Sequence, residues 1–412
     1  MIDRNIYPEQ INAGFKYNPV VVLMGARQVG KTSLMDLYTR DKKHLWLNGQ
    51  NPEIGLLFES FSVIERFLKL NINENLDGLV IIDEFQFIPD ISLMLKLITD
   101  KYKAIKILCS GSSSIEINQK MDESLAGRVR IIPVYALDFN EYLKFTAPNV
   151  YELYNKCQPG DNINLLIPQI QSLLSEYLTY GGLPKIALAK ELAEKRELLD
   201  DIFQTYLLKD VRQYIKQLDF IAFNKLLRIL SAQTGNLVNI NELSSTVKLP
   251  YRACEEYISL LEQMFVIHLV NPFTTNKRAE TTKMKKIYFC DTGLRNIIYN
   301  DFNDISFRTD NGQLFENFVY LQLLKSFKKE QIYYYRTKDG TEIDFVLFTD
   351  GRPIPIEVKY KEFVKLKKIR ALTGFLQSTE GNFGYVINKN LIGQVENHRY
   401  IQPYQLGKTI AK

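Results

Sequence analysis

The first 140 residues alternate short apolar runs with segments of helical periodicity. The runs at 20–24 and 79–82 are continuous, as expected of strands buried on both faces of a sheet. Weaker runs at 44–47 and 105–109 predict two more strands, and the apolar spacing at 58–70 predicts a helix. Strands that alternate with helices are typical of a parallel α/β sheet, so this region is predicted to be one α/β domain.

The pattern changes after residue 140. Residues 141–220 have helical periodicity that Gly181, Gly182 and Pro184 interrupt. From residue 221, three short helical segments precede an apolar strand, and Asn239 and Pro250 suit the first turns of the second and third helices. This order predicts a winged helix-turn-helix over 221–300.

The last segment, 301–412, predicts a helix followed by strands. Residues 312–325 form an amphipathic helical pattern, and 332–337 and 341–348 are predicted as paired strands with Asp339 and Gly340 at the turn. A third strand is predicted at 354–361. The terminal segment is therefore predicted to be a second α/β domain.

A phosphate-binding motif follows the first apolar run. The sequence GARQVGKT fits the pattern GxxxxGK[ST] between a strand and a helix, which is the context this motif requires. Its glycines allow backbone N–H groups to face phosphate oxygens, Lys31 would neutralise the β- and γ-phosphates, and Thr32 would bind Mg²⁺. The predicted ATP-binding residues are Gly25, Ala26, Arg27, Gln28, Val29, Gly30, Lys31, Thr32 and Ser33.

Polar residues at the ends of the later strands are candidates for the rest of this site. Asp83 would hold Mg²⁺, and Glu84 would orient and deprotonate the attacking water. Ser110 is a candidate sensor of the γ-phosphate, although a serine-rich loop is also an ordinary turn. Arg128 is preferred as the cation that stabilises the transition state, from its own chain or a neighbouring one, while Arg130 alternates with apolar residues like a solvated strand residue.

Net charge, cysteine and histidine counts and the lengths of apolar runs limit the kinds of site and partner that we expect. The 412-residue chain has a formal charge of +5, which permits nucleic-acid contact without requiring it. Its four cysteines form no CxxC pair and it has three histidines, so neither a disulfide framework nor a zinc site is expected, and a reducing cytoplasm fits. An apolar signal core and a membrane-length apolar run are both missing, so we expect a soluble intracellular chain with no membrane partner.

Two basic stretches are candidate DNA contacts. The presumed wing carries Lys277, Arg278, Lys283, Lys285 and Lys286 against Glu280, whereas the presumed recognition helix carries Arg252 with Glu255, Glu256 and Glu262. This distribution favours contacts to the DNA backbone through the wing, with a structural or protein-docking module as the alternative. Residues 359–370 are also rich in lysine and suit a phosphate backbone, or form a solvated helix face.

The terminal segment contains a second constellation of charged residues. Alternation along a strand places Glu342 with Asp344 on one face, and Glu357 with Lys359 on one face of the next strand. Such carboxylates can converge on one Mg²⁺ while the lysine stabilises charge on a phosphodiester. The arrangement is similar to the PD-(D/E)xK nuclease core, with Asp344, Glu357 and Lys359 matching the motif and Glu316 matching its helical acid; Ile343 stands where the motif has proline.

Several segments together resemble a known family. The phosphate loop, IDEFQFIPD, SGSSS, LAGR, YLTYGGLP and KKIYFCDTGLRN resemble prokaryotic AAA+-type P-loop ATPases with a carboxyl-terminal domain of unknown function. The resemblance implies an α/β fold with an ATPase core at 1–140, a helical lid at 141–220, a winged helix at 221–300 and a restriction-endonuclease-like domain at 301–412. We therefore expect ATP and Mg²⁺ as cofactors, DNA as a partner and possible homo-oligomers. The leading hypothesis is an ATP-regulated Mg²⁺-dependent DNA endonuclease, and the alternative is a nucleotide-operated switch or scaffold with a non-catalytic terminal domain.

Overall fold

The computed structural model describes residues 4, 6–112, 125, 127–156, 166–207, 211, 215, 219–274 and 283–410. The chain forms two units. The first comprises Met1–Ala136 with Gln263–Phe265, and the second comprises Leu137–Glu262 with Val266–Lys412. The predicted middle and terminal segments therefore belong to one unit. Within the described residues no helix is long and apolar enough to cross a membrane.

The first unit is built on a parallel five-stranded sheet. The strand order is β2-β3-β4-β1-β5, with β1 at Val20–Met24 between β4 and β5. All five residues of β1 are buried, as its apolar run predicts. The elements in chain order are α1 Ile6–Phe15, β1 Val20–Met24, α2 Lys31–Thr39, β2 His44–Asn48, α3 Pro52–Leu57, α4 Phe61–Asn71, β3 Leu79–Asp83, α5 Ile91–Lys101, β4 Lys106–Gly111 and β5 Val129–Pro133.

The second unit begins with helices. The interruption predicted at the two glycines falls between the third and fourth of them. A π-helical turn, Ile202–Leu207, continues the fifth. The helices are α6 Phe139–Thr146, α7 Pro148–Lys156, α8 Ile167–Tyr180, α9 Pro184–Leu188 and α10 Leu192–Asp201.

Three further helices precede a small antiparallel sheet. They are α11 Phe220–Ala232, α12 Ile240–Val247 and α13 Tyr251–Gln263, and the sheet pairs β6 Ile267–Val270 with β7 Lys286–Phe289. Asn239 caps α12 by accepting from the backbone N–H groups of Asn241 and Glu242. Three helices and two strands agree with the predicted order. The winged-helix interpretation stays a prediction, and Lys277, Arg278 and Glu280 of the presumed wing lie outside the described residues.

The carboxyl-terminal part of the second unit contains a mixed six-stranded sheet of order β12-β13-β11-β10-β9-β8. The predicted hairpin is confirmed, because β8 and β9 are antiparallel and Gly340 has a positive φ of 83° at the turn. The elements are α14 Thr292–Tyr299, α15 Asn311–Ser326, β8 Ile332–Arg336, β9 Glu342–Thr349, β10 Arg352–Lys359, α16 Arg370–Thr379, β11 Gly384–Asn388, β12 Gly393–Val395, β13 His398–Ile401 and α17 Leu406–Thr409.

One expectation for this part is wrong, and one alternative is not observed. Helix α15 is not amphipathic: its buried residues include Asn317, Phe318, Val319 and Tyr320 in succession, so it is covered on all sides and forms core. The lysine-rich stretch after β10 is not a helix face, because 361–369 is irregular and α16 begins only at Arg370.

Asp291 joins two of the family-like segments, YLTYGGLP and KKIYFCDTGLRN. Its carboxylate accepts from the backbone N–H of Leu294 at 2.9 Å, capping α14, and from that of Gly182 at 2.8 Å. The two segments pack closely at this point. A Cβ on Gly181 would lie 2.2 Å from Asp291 Oδ1, and a Cβ on Gly293 would lie 2.0 Å from the carbonyl oxygen of Tyr180. The glycines are therefore required by packing.

Replacing Asp291 with asparagine is expected to destabilise the protein by about 2 kcal/mol, because an amide N–H₂ would face a backbone N–H in a buried site. Urea unfolding followed by circular dichroism measures the change. The matched control is Asp219→Asn, at the exposed N-cap of α11, where asparagine caps equally well and the midpoint should not move. Equal midpoints for both variants would contradict the structural role of Asp291.

Candidate functional site

The phosphate loop follows β1 at the carboxyl edge of the parallel sheet. Gly25 must be glycine, because a Cβ there would lie 2.0 Å from the carbonyl oxygen of Val134. Gly30 has a φ of 91° and precedes the first residue of α2. The buried Arg4 also supports the loop, since its guanidinium donates to the carbonyl oxygen of Val29 at 3.1 Å and to that of Tyr135 at 2.9 Å. The sequence pattern gave no indication of Arg4.

Lys31 lies inside the loop. Its ammonium donates to the carbonyl oxygens of Gly25 and Ala26, both at 2.9 Å, and its side chain is buried. Burial lowers the pKa of Lys31 to about 8, against the opposing effect of the Glu84 and Asp83 carboxylates. A phosphate group at the loop would supply the charge that this buried ammonium lacks.

Thr32 and Asp83 meet although they are distant in the sequence. The Thr32 hydroxyl donates to Asp83 Oδ2 at 3.0 Å, which joins the start of α2 to the end of β3. A hydroxyl and a carboxylate are oxygen ligands of the kind that Mg²⁺ takes beside nucleotide phosphates. The predicted pair therefore fits a magnesium ion.

Glu84 is held by a polar network that the sequence indicated only in part. It has a φ of 51°, unusual for a residue other than glycine, and its backbone N–H donates to Ser110 Oγ at 3.1 Å. The Ser110 hydroxyl donates to Asp83, and Gln86 Nε2 donates to both Glu84 Oε2 and Ser112 Oγ. Ser110 therefore contacts both Asp83 and Glu84, and its role as a sensor of the γ-phosphate stays a prediction; Gln86 and Ser112 were not foreseen.

Arg128 is not at the phosphate loop of its own chain. Its carbonyl oxygen accepts from the backbone N–H of Val20, the first residue of β1, while the loop follows the last residue, Met24. Five strand residues separate these ends by about 16 Å. The Arg128 side chain instead pairs with Asp100 at 2.7 Å, and Arg130 is exposed on β5. Arg128 therefore lies away from the site of its own chain, and its other predicted setting, the site of a neighbouring chain, stays a prediction.

The second candidate site lies in the carboxyl-terminal part of the second unit. Lys359 Nζ is 2.6 Å from Glu357 Oε1 and 3.8 Å from Asp344 Oδ2. Asp344 Oδ2 also accepts from the backbone N–H of Val358 at 2.7 Å, across the β9–β10 pair. Asp344, Glu357 and Lys359 therefore converge. We call these three residues together with Glu316, Glu342 and Lys286 the carboxylate pocket.

Glu316 is held from β7 by two residues that sequence reasoning did not assign to this site. Lys286 Nζ is 3.1 Å from Glu316 Oε1 and 2.5 Å from Glu342 Oε1, and the Tyr288 hydroxyl donates to Glu316 Oε1 at 2.6 Å. Burial lowers the pKa of Lys286, but the charges of Glu316, Asp344 and Glu342 outweigh it and raise that pKa above its ordinary value. Burial and the neighbouring carboxylate of Asp344 raise the pKa of Glu357, and burial raises that of Glu316.

Two carboxylates of the pocket are paired with ammonium groups in this arrangement. Among the described residues, no group of three or more His, Cys, Asp and Glu side chains is arranged to hold one. Two amino groups lie among the carboxylates, Lys286 at Glu316 and Lys359 at Glu357. The predicted Mg²⁺ ligands Glu316, Asp344 and Glu357 are therefore near one another without forming an open cation site.

The lysine-rich stretch beyond β10 is a surface loop. Phe363 is buried beneath it, with the amino groups of Lys361 and Lys367 over its ring at 4.8 and 5.6 Å. Lys368 pairs with Glu396 at 2.6 Å. The exposed cations of this loop are Lys361, Lys365, Lys367 and Lys368; with Arg370, the first residue of α16, they are named here the basic loop.

Three parts of the chain match known families. Residues 17–143 match a family described as AAA domain, residues 171–304 match a domain of unknown function, DUF8612, and residues 311–405 match another, DUF4143. An uncharacterised protein of Mycobacterium tuberculosis is 25% identical over 362 residues, which cover 87% of this chain and 74% of the relative. An uncharacterised protein of Methanocaldococcus jannaschii is 25% identical over 370 residues, covering 86% and 78%.

The fold is also similar to that of a solved structure. The Walker-type ATPase of Pyrococcus abyssi matches with a TM-score of 0.51 and 14% identity, over 72% of this chain and 96% of that chain. At this identity the similarity concerns the fold, an α/β architecture with an amino-terminal parallel sheet. The chain is therefore similar to the AAA domain family over residues 17–143 and to the DUF4143 family over residues 311–405, and its fold is similar to that of a Walker-type ATPase.

Proposed function

We propose that the first unit binds Mg·ATP and hydrolyses it. The observation that carries this proposal is the hydrogen bond between Thr32 and Asp83 beside the buried ammonium of Lys31. A phosphate-binding lysine, a hydroxyl and a strand-end carboxylate lie together at the carboxyl edge of a parallel sheet, as nucleotide hydrolysis requires.

Each residue has a role in this proposal. The backbone N–H groups of the loop and Lys31 bind the β- and γ-phosphates, while Thr32 and Asp83 hold Mg²⁺, which supplies charge neutralisation when bound. Glu84 orients the attacking water and accepts its proton, and Ser110 links the backbone at Glu84 to Asp83. Gln86 fixes the Glu84 carboxylate.

Two measurements on the wild-type protein test this function. Calorimetric titration with a non-hydrolysable ATP analogue, with Mg²⁺ and with a chelator, should give binding that is tighter with the metal. Release of inorganic phosphate from ATP should depend on protein concentration and Mg²⁺. An absence of binding in both conditions would overturn the proposal.

We infer a second function for the second unit, action on DNA at the carboxylate pocket. What favours it is the convergence of Asp344, Glu357 and Lys359, the residue types and order of a PD-(D/E)xK nuclease. The basic loop offers exposed cations to a phosphate backbone, in contacts that position DNA without reading its sequence. The leading form is Mg²⁺-dependent cleavage, and the alternative is a nucleotide-operated switch or scaffold that does not cut.

A cleavage assay separates the two forms. Linear, circular and single-stranded DNA are incubated with the protein in Mg²⁺ or Mn²⁺, with and without ATP, beside the Asp344→Ala variant. Cleavage that is lost in the variant would establish the nuclease and give the direction of ATP control. If no DNA is cut while ATP is hydrolysed, the switch or scaffold is the function; cutting that survives Asp344→Ala would exclude this pocket as its source.

A further inference from the structure

Lys286 is a buried cation that the proposed ATPase and nuclease chemistry leaves unassigned. Its side chain is 2% exposed, and its amino group lies between Glu316 of α15 and Glu342 of β9. Three segments that are distant in the sequence therefore meet at one ammonium group. Such a group is costly to bury unless it neutralises charge.

The backbone fixes where this lysine enters the pocket. Lys286 is the first residue of β7, where it pairs with Val270 of β6 and forms an isolated bridge with Leu237. Tyr288, two residues later on the same strand, points the same way and donates to Glu316. The segment KKIYF, which begins at the end of the presumed wing and continues as β7, thus supplies two contacts to one carboxylate of the nuclease-like site.

The charges in the pocket are distributed in two halves. Lys286 is shared by Glu316 and Glu342, and Lys359 is shared by Asp344 and Glu357. Glu357 Oε2 is buried and makes no hydrogen bond. The half with Lys359 therefore keeps a carboxylate oxygen available to a cation, whereas in the other half Lys286 and Tyr288 both contact Glu316 Oε1.

We propose that Lys286 is an internal cation of the carboxylate pocket, which occupies Glu316 and thereby weakens the binding of a divalent metal at Asp344 and Glu357. This inference rests on the second function proposed above, because the same carboxylates would serve it. It deepens that function by naming what regulates the site. A metal ion can bind the Glu316 carboxylate only when the Lys286 ammonium no longer contacts it.

Calorimetric titration with Mn²⁺, without nucleotide, tests this inference on the full-length protein. Lys286→Gln removes the charge and keeps a hydrogen-bond donor for Glu316, so we expect Mn²⁺ to bind at least about tenfold more tightly than to the wild type. Lys286→Arg keeps the charge and should show no gain. The double variant Lys286→Gln with Asp344→Ala should lose the gain, which assigns the bound metal to this pocket and not to the phosphate loop.

A second measurement covers the case in which Lys286→Gln is poorly stable. Because a ligand that binds only the folded state raises the melting temperature, Mn²⁺ should raise that of Lys286→Gln by more than that of the wild type. Equal shifts, or an equal gain in Lys286→Arg, would overturn the inference.

The role of Lys286 and the nuclease activity are tested by different measurements, Mn²⁺ affinity and DNA cleavage, so one can fail without the other. DNA cleavage by the wild type with no gain of Mn²⁺ affinity in Lys286→Gln would leave the nuclease standing and reject the role of Lys286. A gain of affinity without cleavage in any variant would support the role of Lys286 and reject cleavage.

Discussion

Replacing Lys31 with alanine is expected to abolish measurable ATP binding, with an affinity at least about 100-fold lower than that of the wild type, which corresponds to about 3 kcal/mol. The ammonium is buried in the loop that would hold the β- and γ-phosphates. Without it, a triphosphate would meet the carbonyl oxygens of Gly25 and Ala26 and the carboxylates of Asp83 and Glu84 unopposed. Titration with a fluorescent ATP analogue measures the change.

The matched control is Lys43→Ala, which removes an exposed lysine from the same unit. Its affinity for ATP should equal that of the wild type, since an exposed cation away from the loop is screened by solvent. Thermal unfolding of both variants checks that the sheet is intact. Undiminished affinity in Lys31→Ala would reject the phosphate-loop assignment.

The phosphate site was predictable from sequence because each of its parts is a local pattern. The continuous apolar run of β1, the glycines of the loop and the acids that end β3 each follow from a few neighbouring residues. Parallel strands present their carboxyl ends at one edge, so placing Thr32 beside Asp83 needed only the topology.

Arg128 shows where a local pattern is insufficient. Its position in the sequence, shortly after the serine-rich loop, suggested proximity to ATP. However, β5 runs parallel to β1, so Arg128 lies beside the amino end of β1, whereas the phosphate loop follows its carboxyl end. The direction of a strand, and not the distance in sequence, decides which end lies near the loop. Arg128 therefore stays a candidate only for the site of a neighbouring chain.

The carboxylate pocket was predictable to the extent that it depends on one strand pair. Alternation placed Asp344 on β9 and Glu357 with Lys359 on β10, and pairing brought them together. Lys286 was assigned instead to DNA contact through the wing, because a basic run usually lies on a surface. Its burial results from packing between β7, α15 and β9, which no periodicity in the sequence encodes.

Replacing Glu84 with glutamine is expected to leave ATP binding intact and to lower the turnover number by about 100-fold to 10,000-fold, the range that loss of a general base produces. Glutamine keeps the size of the side chain and an oxygen that can accept from Gln86, so the network to Ser112 can persist. It cannot take the proton of the attacking water. Initial rates of phosphate release and the affinity for ATP are measured separately.

The split between binding and turnover is what distinguishes a catalytic Glu84 from a structural one. Glu84 has a backbone conformation that is costly for a side chain other than glycine, and such strain is maintained where the surrounding network holds it. If the residue served only that network, glutamine, which can keep the network, would leave turnover as little changed as affinity and stability. Glu59→Gln, an exposed change in the same unit, should alter neither quantity. Wild-type turnover in Glu84→Gln would place the base elsewhere, whereas a selective loss of turnover would assign it to the end of β3, one residue beyond the predicted magnesium ligand Asp83.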